Sequence, residues 1–331
     1  MSINFNRLKK HSLTLAYKLY PENMTCILED IKYKKLLQCI IKLDQRIIFE
    51  EQTLFDEDEN TLLTSLAKVN DTQIAVRGDN SYSIKIWDLI KGKIIKTIIT
   101  NNKNYCLIKV DEKHIASGGF DNTIIVYELQ TGKCIKTFTG HSNSINHLAK
   151  LNSNHIASWS NDLSIKIWNL TSGNCLKTLF GLHILTNSFV RLNDTLIATG
   201  GCNRLIQIWN LQTNKCLKIS QDYSTFSLLR LNHSLMAGGV NSSIEIWDYN
   251  TGKSIKTLKG HIESVIKLIK ISEIKIVSGS MDKSIKIWNF QKGNCIKTLK
   301  GDGNPVLDME RLNKAQIVSL GRENNLRIWN I

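Results

Sequence analysis

Proline is nearly absent: the 331-residue chain has two, Pro21 and Pro305, beside 19 glycines. That excludes collagen-like and proline-rich classes. No apolar run approaches the ~18 residues of a membrane-spanning helix. The basic start (Arg7, Lys9, Lys10) leads into an apolar stretch that Lys18 interrupts, with no small-residue cleavage site after it, so no secretory signal is expected. No CxxC pair occurs among the eight cysteines. Four of them, Cys134, Cys175, Cys216 and Cys295, sit in one recurring phrase (GKC, GNC, NKC, GNC). Equivalent sites of successive repeats lie farther apart than the ~6 Å between Cα atoms that a disulfide needs. Reduced thiols and a cytoplasmic location are therefore expected. GxGxxG, P-loop, HExxH and GxSxG motifs are missing as well. The acidic run FDEDEN at 55–60 lacks the ligand order and the glycine of a calcium loop. Neither enzyme activity nor a metal or cofactor is expected.

What the chain does have is a core-forming composition, with 42% apolar residues and 7% aromatics, which argues against disorder. It also has a period. SIKIWDL at 83–89 returns as TIIVYEL, SIKIWNL, LIQIWNL, SIEIWDY, SIKIWNF and LRIWNI. The aromatic positions are Trp87, Tyr127, Trp168, Trp209, Trp247, Trp288 and Trp329. Seven occurrences at a near-constant spacing of about 41 residues are the mark of a repeat architecture. Within each period four short alternating segments are separated by Gly, Asn, Asp and Ser clusters. Residues 140–179 show it: SINHLAKL, HIASWS, SIKIWNL and CLKTL, parted by LNSN, ND and TSGN. Alternation over five to eight residues bounded by turn formers reads as half-buried strands. Four antiparallel strands per period make one blade, which needs a neighbour on each face.

These residues resemble the WD-repeat family of β-propellers. The carrying motifs are Gly140-His141, Asp162 and Trp168-Asn169, then Gly260-His261, Asp282 and Trp288-Asn289. The resemblance covers about residues 46–331 and implies an all-β, seven-bladed propeller of four-stranded antiparallel blades. It also implies two structural tetrads, His141, Ser158, Asp162, Trp168 and His261, Ser278, Asp282, Trp288, which satisfy buried polar groups between strands. Other repeats depart from the pattern. The second has Tyr127 for Trp, the fourth has Thr199 and Asn203, and the fifth is read with Ala237 and Asn241 in the Ser and Asp places. The chain ends two residues past Trp329, so the last blade is expected to take its outer strand from residues 46–55.

Residues 1–45 lack the repeat. Apolar positions spaced three and four apart suggest short amphipathic helices, a helical N-terminal extension that caps the propeller. Residues 20–41 also bear a weak resemblance to an F-box, carried by Pro21, Glu22, Ile27, Leu28, Leu36 and Leu37. That resemblance implies the alternative of a substrate-recognition adaptor in a ubiquitin ligase.

The net charge of +14 comes from periodic lysines. Lys85, Lys166 and Lys286 share one place in the third strand, and Lys96, Lys136, Lys177, Lys218, Lys256 and Lys297 share one in the outer strand. The reading is a solvated rim. RNA or acidic-membrane association through that rim is a further alternative, with nucleic acid disfavoured because aromatics are not interleaved with the lysines. In WD-repeat propellers partners dock around the channel mouth. Carried over by repeat position, the partner-binding candidates are Tyr105, Phe120, Phe226, Ile266, Met281, Leu307 and Arg322. The expected function is a non-enzymatic scaffold for a protein or peptide ligand, acting as a monomeric propeller.

Overall fold

The computed structural model describes residues 53–55, 63–78, 82–100, 103–181, 186–201, 205–220, 224–300, 303–321 and 325–331. The helical extension and the F-box-like segment expected over residues 1–45 lie outside them, as do residues 46–52 of the expected closing strand and Arg322. Thr53–Arg327 with Ile331 form one compact unit.

Every regular element among the described residues is a strand. Blade 1 comprises β2 (Leu63–Lys68), β3 (Gln73–Gly78), β4 (Ser83–Asp88) and β5 (Lys93–Ile99), and blade 2 comprises β6 (Asn104–Lys109), β7 (His114–Gly119), β8 (Ile124–Glu128) and β9 (Cys134–Phe138). Blade 3 is β10 (Ile145–Lys150), β11 (His155–Ser160), β12 (Ser164–Asn169) and β13 (Cys175–Phe180). Blade 4 is β14 (Thr186–Arg191), β15 (Leu196–Gly201), β16 (Leu205–Asn210) and β17 (Cys216–Ser220). Blade 5 is β18 (Thr225–Arg230), β19 (Leu235–Val240), β20 (Ser243–Asp248) and β21 (Ser254–Lys259). Blade 6 is β22 (Val265–Lys270), β23 (Lys275–Ser280), β24 (Ser284–Asn289) and β25 (Asn294–Lys300). Blade 7 joins β26 (Val306–Arg311), β27 (Gln316–Gly321) and β28 (Asn325–Asn330) to β1 (Thr53–Phe55), with Leu54 opposite Leu326. Each inner strand neighbours the inner strand of the next blade, and β26 neighbours β2, so the seven sheets form a ring.

Burial follows from this arrangement. The second strand of a blade is covered on both faces by adjacent blades, and β11 and β23 are buried along nearly their whole length. Such strands need continuous small or apolar residues, as in HIASWS, rather than alternation. Outer strands are less covered, and β9 and β13 are mostly exposed. The repeat tryptophans close the gaps between sheets. Trp168 packs on Ile124, Val126 and Phe138 of blade 2, and Trp288 on Ile244, Ile246 and Leu258 of blade 5. A single sheet therefore buries little, and the ring buries the core.

Polar links run between blades at the inner strands. Ser188 Oγ accepts from Leu228 N at 2.6 Å, Ser227 Oγ from Leu268 N at 3.0 Å, and Asp308 Oδ2 from Leu66 N at 2.8 Å. The outer-strand lysines do more than solvate the rim. Lys96 Nζ donates to Leu129 O at 3.1 Å and to Gln130 O, Lys136 Nζ to Leu170 O at 2.9 Å, Lys177 Nζ to Leu211 O, and Lys256 Nζ to Gln291 O. Each ammonium pins its outer strand to the last turn of the next blade.

The strand register also corrects the reading of blade 5. Ser158 and Ser278 lie opposite Lys166 and Lys286. The residue in that place of blade 5, opposite Glu245, is Gly238 rather than Ala237. A Cβ there would stand 2.7 Å from Cζ3 of Trp247, so the indole fills the space a serine side chain takes elsewhere. In blade 1 the same place, opposite Lys85, holds Val76. Among the described residues the buried Trp87 Nε1 consequently finds no acceptor.

Candidate functional site: the tetrad end of the propeller

Antiparallel connectivity puts the turns of every blade at two ends of the ring. Links from an outer strand to the next inner strand, and turns between second and third strands, lie at one end. Turns between inner and second strands, and between third and outer strands, lie at the other. The histidines and aspartates of the two full repeats organise the first end.

In blade 3, Trp168 Nε1 donates to Ser158 Oγ at 2.7 Å. The same Oγ lies 2.7 Å from His141 Nε2, and His141 Nδ1 lies 2.7 Å from Asp162 Oδ2. Blade 6 repeats this with Trp288, Ser278, His261 and Asp282 at 2.8, 2.7 and 2.7 Å. One proton arrangement satisfies every group: indole N–H to Ser oxygen, Ser hydroxyl to His Nε2, and His Nδ1–H to the carboxylate. The histidine is then neutral. The aspartates also cap their turns, Asp162 Oδ1 accepting from Ser164 N at 2.9 Å and Asp282 Oδ1 from Ser284 N at 2.9 Å. Blade 4 keeps a weaker version, Trp209 Nε1 to Thr199 Oγ1 at 3.4 Å.

Burial holds His141 and His261 below the ordinary histidine range, and the adjacent aspartates only partly oppose it. Burial works to raise Asp162 and Asp282, but hydrogen bonds from Ser164 and Ser284 and from the histidines win and lower both. The sign is the same for all four groups. Between the depressed folded pKa and the ordinary value the unfolded chain binds more protons, so stability falls as pH falls. The histidine contribution is present above about pH 6.5 and is lost below it, and the aspartate contribution is lost below about pH 4. Urea midpoints taken from pH 7.5 down to 5 are expected to decline, with a slope of at most about 1.4 kcal/mol per pH unit per histidine. A His141→Gln, His261→Gln double variant should flatten that slope. A midpoint constant from pH 7.5 to 5 would contradict the neutral-histidine assignment.

On this rigid frame the turns present the partner-binding candidates. Phe120 N donates to Lys103 O, Asn161 N to Ser144 O, and Met281 N to Ser264 O, each at 2.9 Å. In blades 2, 3 and 6 the second-to-third turn is thus tied to the incoming loop. Phe120 is 67% exposed, while Tyr105, Phe226, Ile266, Met281 and Leu307 are half-buried. Arg77 Cζ lies 5.8 Å from the centre of the Tyr105 ring. In blade 3 the surface is polar, with Asn161 Nδ2 donating to Ser144 Oγ at 2.8 Å and Asn146 Nδ2 to Asn161 Oδ1. Repeat-position reasoning overlooked four exposed apolar residues at this end: Ile262, Ile99, Phe180 and Tyr82, of which Ile262 is 84% exposed. For Ile262 the signal was an apolar residue directly after GH, and for Ile99 and Phe180 one directly after the buried Ile98 and Leu179 of an outer strand; Tyr82, in the turn before β4, had none. Among the described residues no group of three or more His, Cys, Asp and Glu is placed to hold a metal ion, and no helix is long and apolar enough to cross a membrane.

Comparison with known proteins agrees with the geometry. The family described as "WD domain, G-beta repeat" matches residues 132–169 and 252–289, the stretches that hold both full tetrads. The chain is 37% identical over 60 residues to the COMPASS component SWD3 of Saccharomyces cerevisiae, covering 17% of this chain and 19% of that protein. It is 32% identical over 68 residues to Autophagy-related protein 16 of Arabidopsis thaliana, covering 20% of this chain and 13% of that protein. A WD repeat-containing protein of Dictyostelium discoideum matches at 27% over 93 residues, 27% of this chain and 16% of that protein. The matches thus span less than a fifth of each relative. Propellers of this kind generally serve as non-catalytic scaffolds for protein–protein interaction. Two WD repeats are thus matched by the family model within a chain that folds as a seven-bladed β-propeller.

Proposed function

We propose that this chain is a non-enzymatic scaffold that holds a peptide or protein on the tetrad end of the propeller, as a monomer in the cytoplasm. The observation that carries this reading is the exposed Phe120, on a turn whose N–H is bonded to the Lys103 carbonyl, with half-buried Tyr105 two residues after Lys103 at the start of β6. An apolar surface held by a rigid polar frame is how protein interfaces are built. The relatives support a role in assembly, since SWD3 is by name a component of COMPASS. The free thiols of Cys134, Cys175 and Cys295, all exposed, suit a reducing compartment.

The test is affinity capture with the full chain, comparing wild type with Phe120→Asp and Met281→Lys. Phe120→Asp should weaken the retained partner about 10- to 100-fold, the range of an aromatic hot spot, while leaving the thermal midpoint unchanged. If both variants retain the same proteins at wild-type levels, the tetrad end is not the docking face.

A further inference from the structure

The opposite end of the ring carries a different chemistry. Its peripheral turns, between third and outer strands, are built alike in blades 1 to 6. Each has one residue in the left-handed region at the same place: Gly92, Gly132, Gly173, Asn214, Gly252 and Gly293, with φ from 59° to 83°. Equivalent turns of equivalent blades lie at one level of the ring, so whatever they carry faces one plane.

They carry lysine. Lys91, Lys133, Lys215, Lys253 and Lys292 are exposed on five of the six turns, and Lys93 follows directly in blade 1. The inter-blade pins add to them. Lys96, Lys136, Lys177 and Lys256 each bring an ammonium onto the carbonyls of the next blade's turn, including that of blade 3, which has no lysine of its own. Three carboxylates share these turns, Asp88, Glu128 and Asp248. Asp88 and Asp248 accept from turn N–H groups, and Glu128 accepts from the Thr131 hydroxyl. Among the described residues only Lys91 of the turn lysines makes an ion pair, at 3.5 Å from Asp88.

Nearer the channel, the acids of the same end are paired. The turns between inner and second strands carry Asp71, Glu112, Asp194 and Glu273. Each is paired with a cation three residues earlier: Lys68 at 2.7 Å, Lys109 at 2.7 Å, Arg191, and Lys270 at 2.9 Å. Positive charge therefore runs around the peripheral turns with little to offset it, and the exposed Lys113, Lys275 and Lys314 on or beside the inner turns add to it. The only aromatics on the peripheral turns, Tyr249 and Phe290, are 1% and 4% exposed and offer no stacking platform. Ile90 projects at the same level, 61% exposed.

We propose that this lysine ring is a docking surface for an anionic lipid bilayer. A planar array of cations matches a planar anionic surface, to which all the turns can be applied at once, whereas a nucleic-acid strand would engage only part of a closed ring. The missing aromatics argue against single-strand binding, and exposed Ile90 suits the headgroup boundary. The opposite end stays free for the protein partner, so the two readings stand or fall separately.

The test is sedimentation of the full chain with phosphatidylcholine vesicles, with and without about 30% phosphatidylserine. Binding should require phosphatidylserine and be abolished at about 0.5 M salt, where exposed charges are screened. Reversing Lys91, Lys133, Lys215 and Lys253 to Glu should reduce binding at least about 100-fold, as a lysine near an anionic surface is worth a few-fold each. The same four changed to Gln give a milder loss and guard against misfolding of the reversed variant, while Phe120→Asp should bind vesicles as wild type does. Three results would each overturn the proposal: no dependence on phosphatidylserine, unchanged binding by the Gln variant, or displacement from vesicles by a single-stranded RNA oligonucleotide bound more tightly at the same salt.

Discussion

Trp288→Ala is expected to destabilise the protein by about 3–5 kcal/mol, the range for emptying a large buried aromatic site. Trp288 is 1% exposed and packs against Ile244, Ile246 and Leu258 of the preceding blade. Its loss opens a cavity between sheets and removes the donor at Ser278 Oγ. The contribution of the hydrogen bond can be separated from that of packing. Trp288→Phe keeps most of the apolar volume but deprives the Ser278 oxygen of its N–H, at a cost of about 1–3 kcal/mol. Trp87 occupies the equivalent place in blade 1, where Val76 stands instead of serine and the indole N–H is buried without an acceptor among the described residues. Trp87→Phe removes that unsatisfied donor, so its packing loss is offset and the net change should stay within about 1 kcal/mol. Urea midpoints of the two Phe variants, read side by side, measure what the tetrad adds. If they shift equally, the hydrogen-bond chain contributes nothing to stability.

That contrast also shows what the sequence could reveal. The aromatic period is visible because every blade needs one large residue to fill the gap to its neighbour, and the tetrads of blades 3 and 6 because their turns have equal length. Blade 5 was misread for the same reason in reverse. Its turn between second and third strands is tighter, with Val240 paired directly to Ser243 and Asn241 at a φ of 48°. Counting back ten places from Trp247 lands on Ala237, whereas the register puts Gly238 in the serine's place. Turn length is not readable from the spacing of tryptophans alone. The lysine pins were hidden differently. The period of Lys96, Lys136, Lys177 and Lys256 is plain in the chain, but their acceptors lie 33 to 35 residues onward in another blade. Only the ring brings them within reach. The apolar candidates at the tetrad end were nameable by repeat position, yet how exposed each one is depends on loop paths that vary from blade to blade.

At the seam of the ring, Asp308→Leu is expected to cost about 3 kcal/mol, near the low end for breaking a buried ion pair from one side. Asp308 touches three blades. Its Oδ1 is 2.7 Å from Lys267 Nζ of blade 6, and its Oδ2 accepts from Leu66 N of blade 1 at 2.8 Å. Burial works against the Lys267 charge, but Asp308 and Glu310 together hold that lysine above its usual range. Removing the carboxylate leaves an ammonium and a backbone N–H without their acceptor. Lys267 keeps a third of its side chain open to solvent, which softens the loss. Ser227→Ala, at the same place in blade 5, removes a single neutral bond to Leu268 N and should cost only about 1 kcal/mol. The double variant Lys267→Met, Asp308→Leu should recover part of the deficit, since an apolar pair of similar volume can replace a buried ion pair. Limited proteolysis should then rank the variants in the same order as their urea midpoints, with the first new cuts in blades 1, 6 and 7. Equal resistance of Asp308→Leu and Ser227→Ala would mean that the strands alone hold the seam, and that this carboxylate does not.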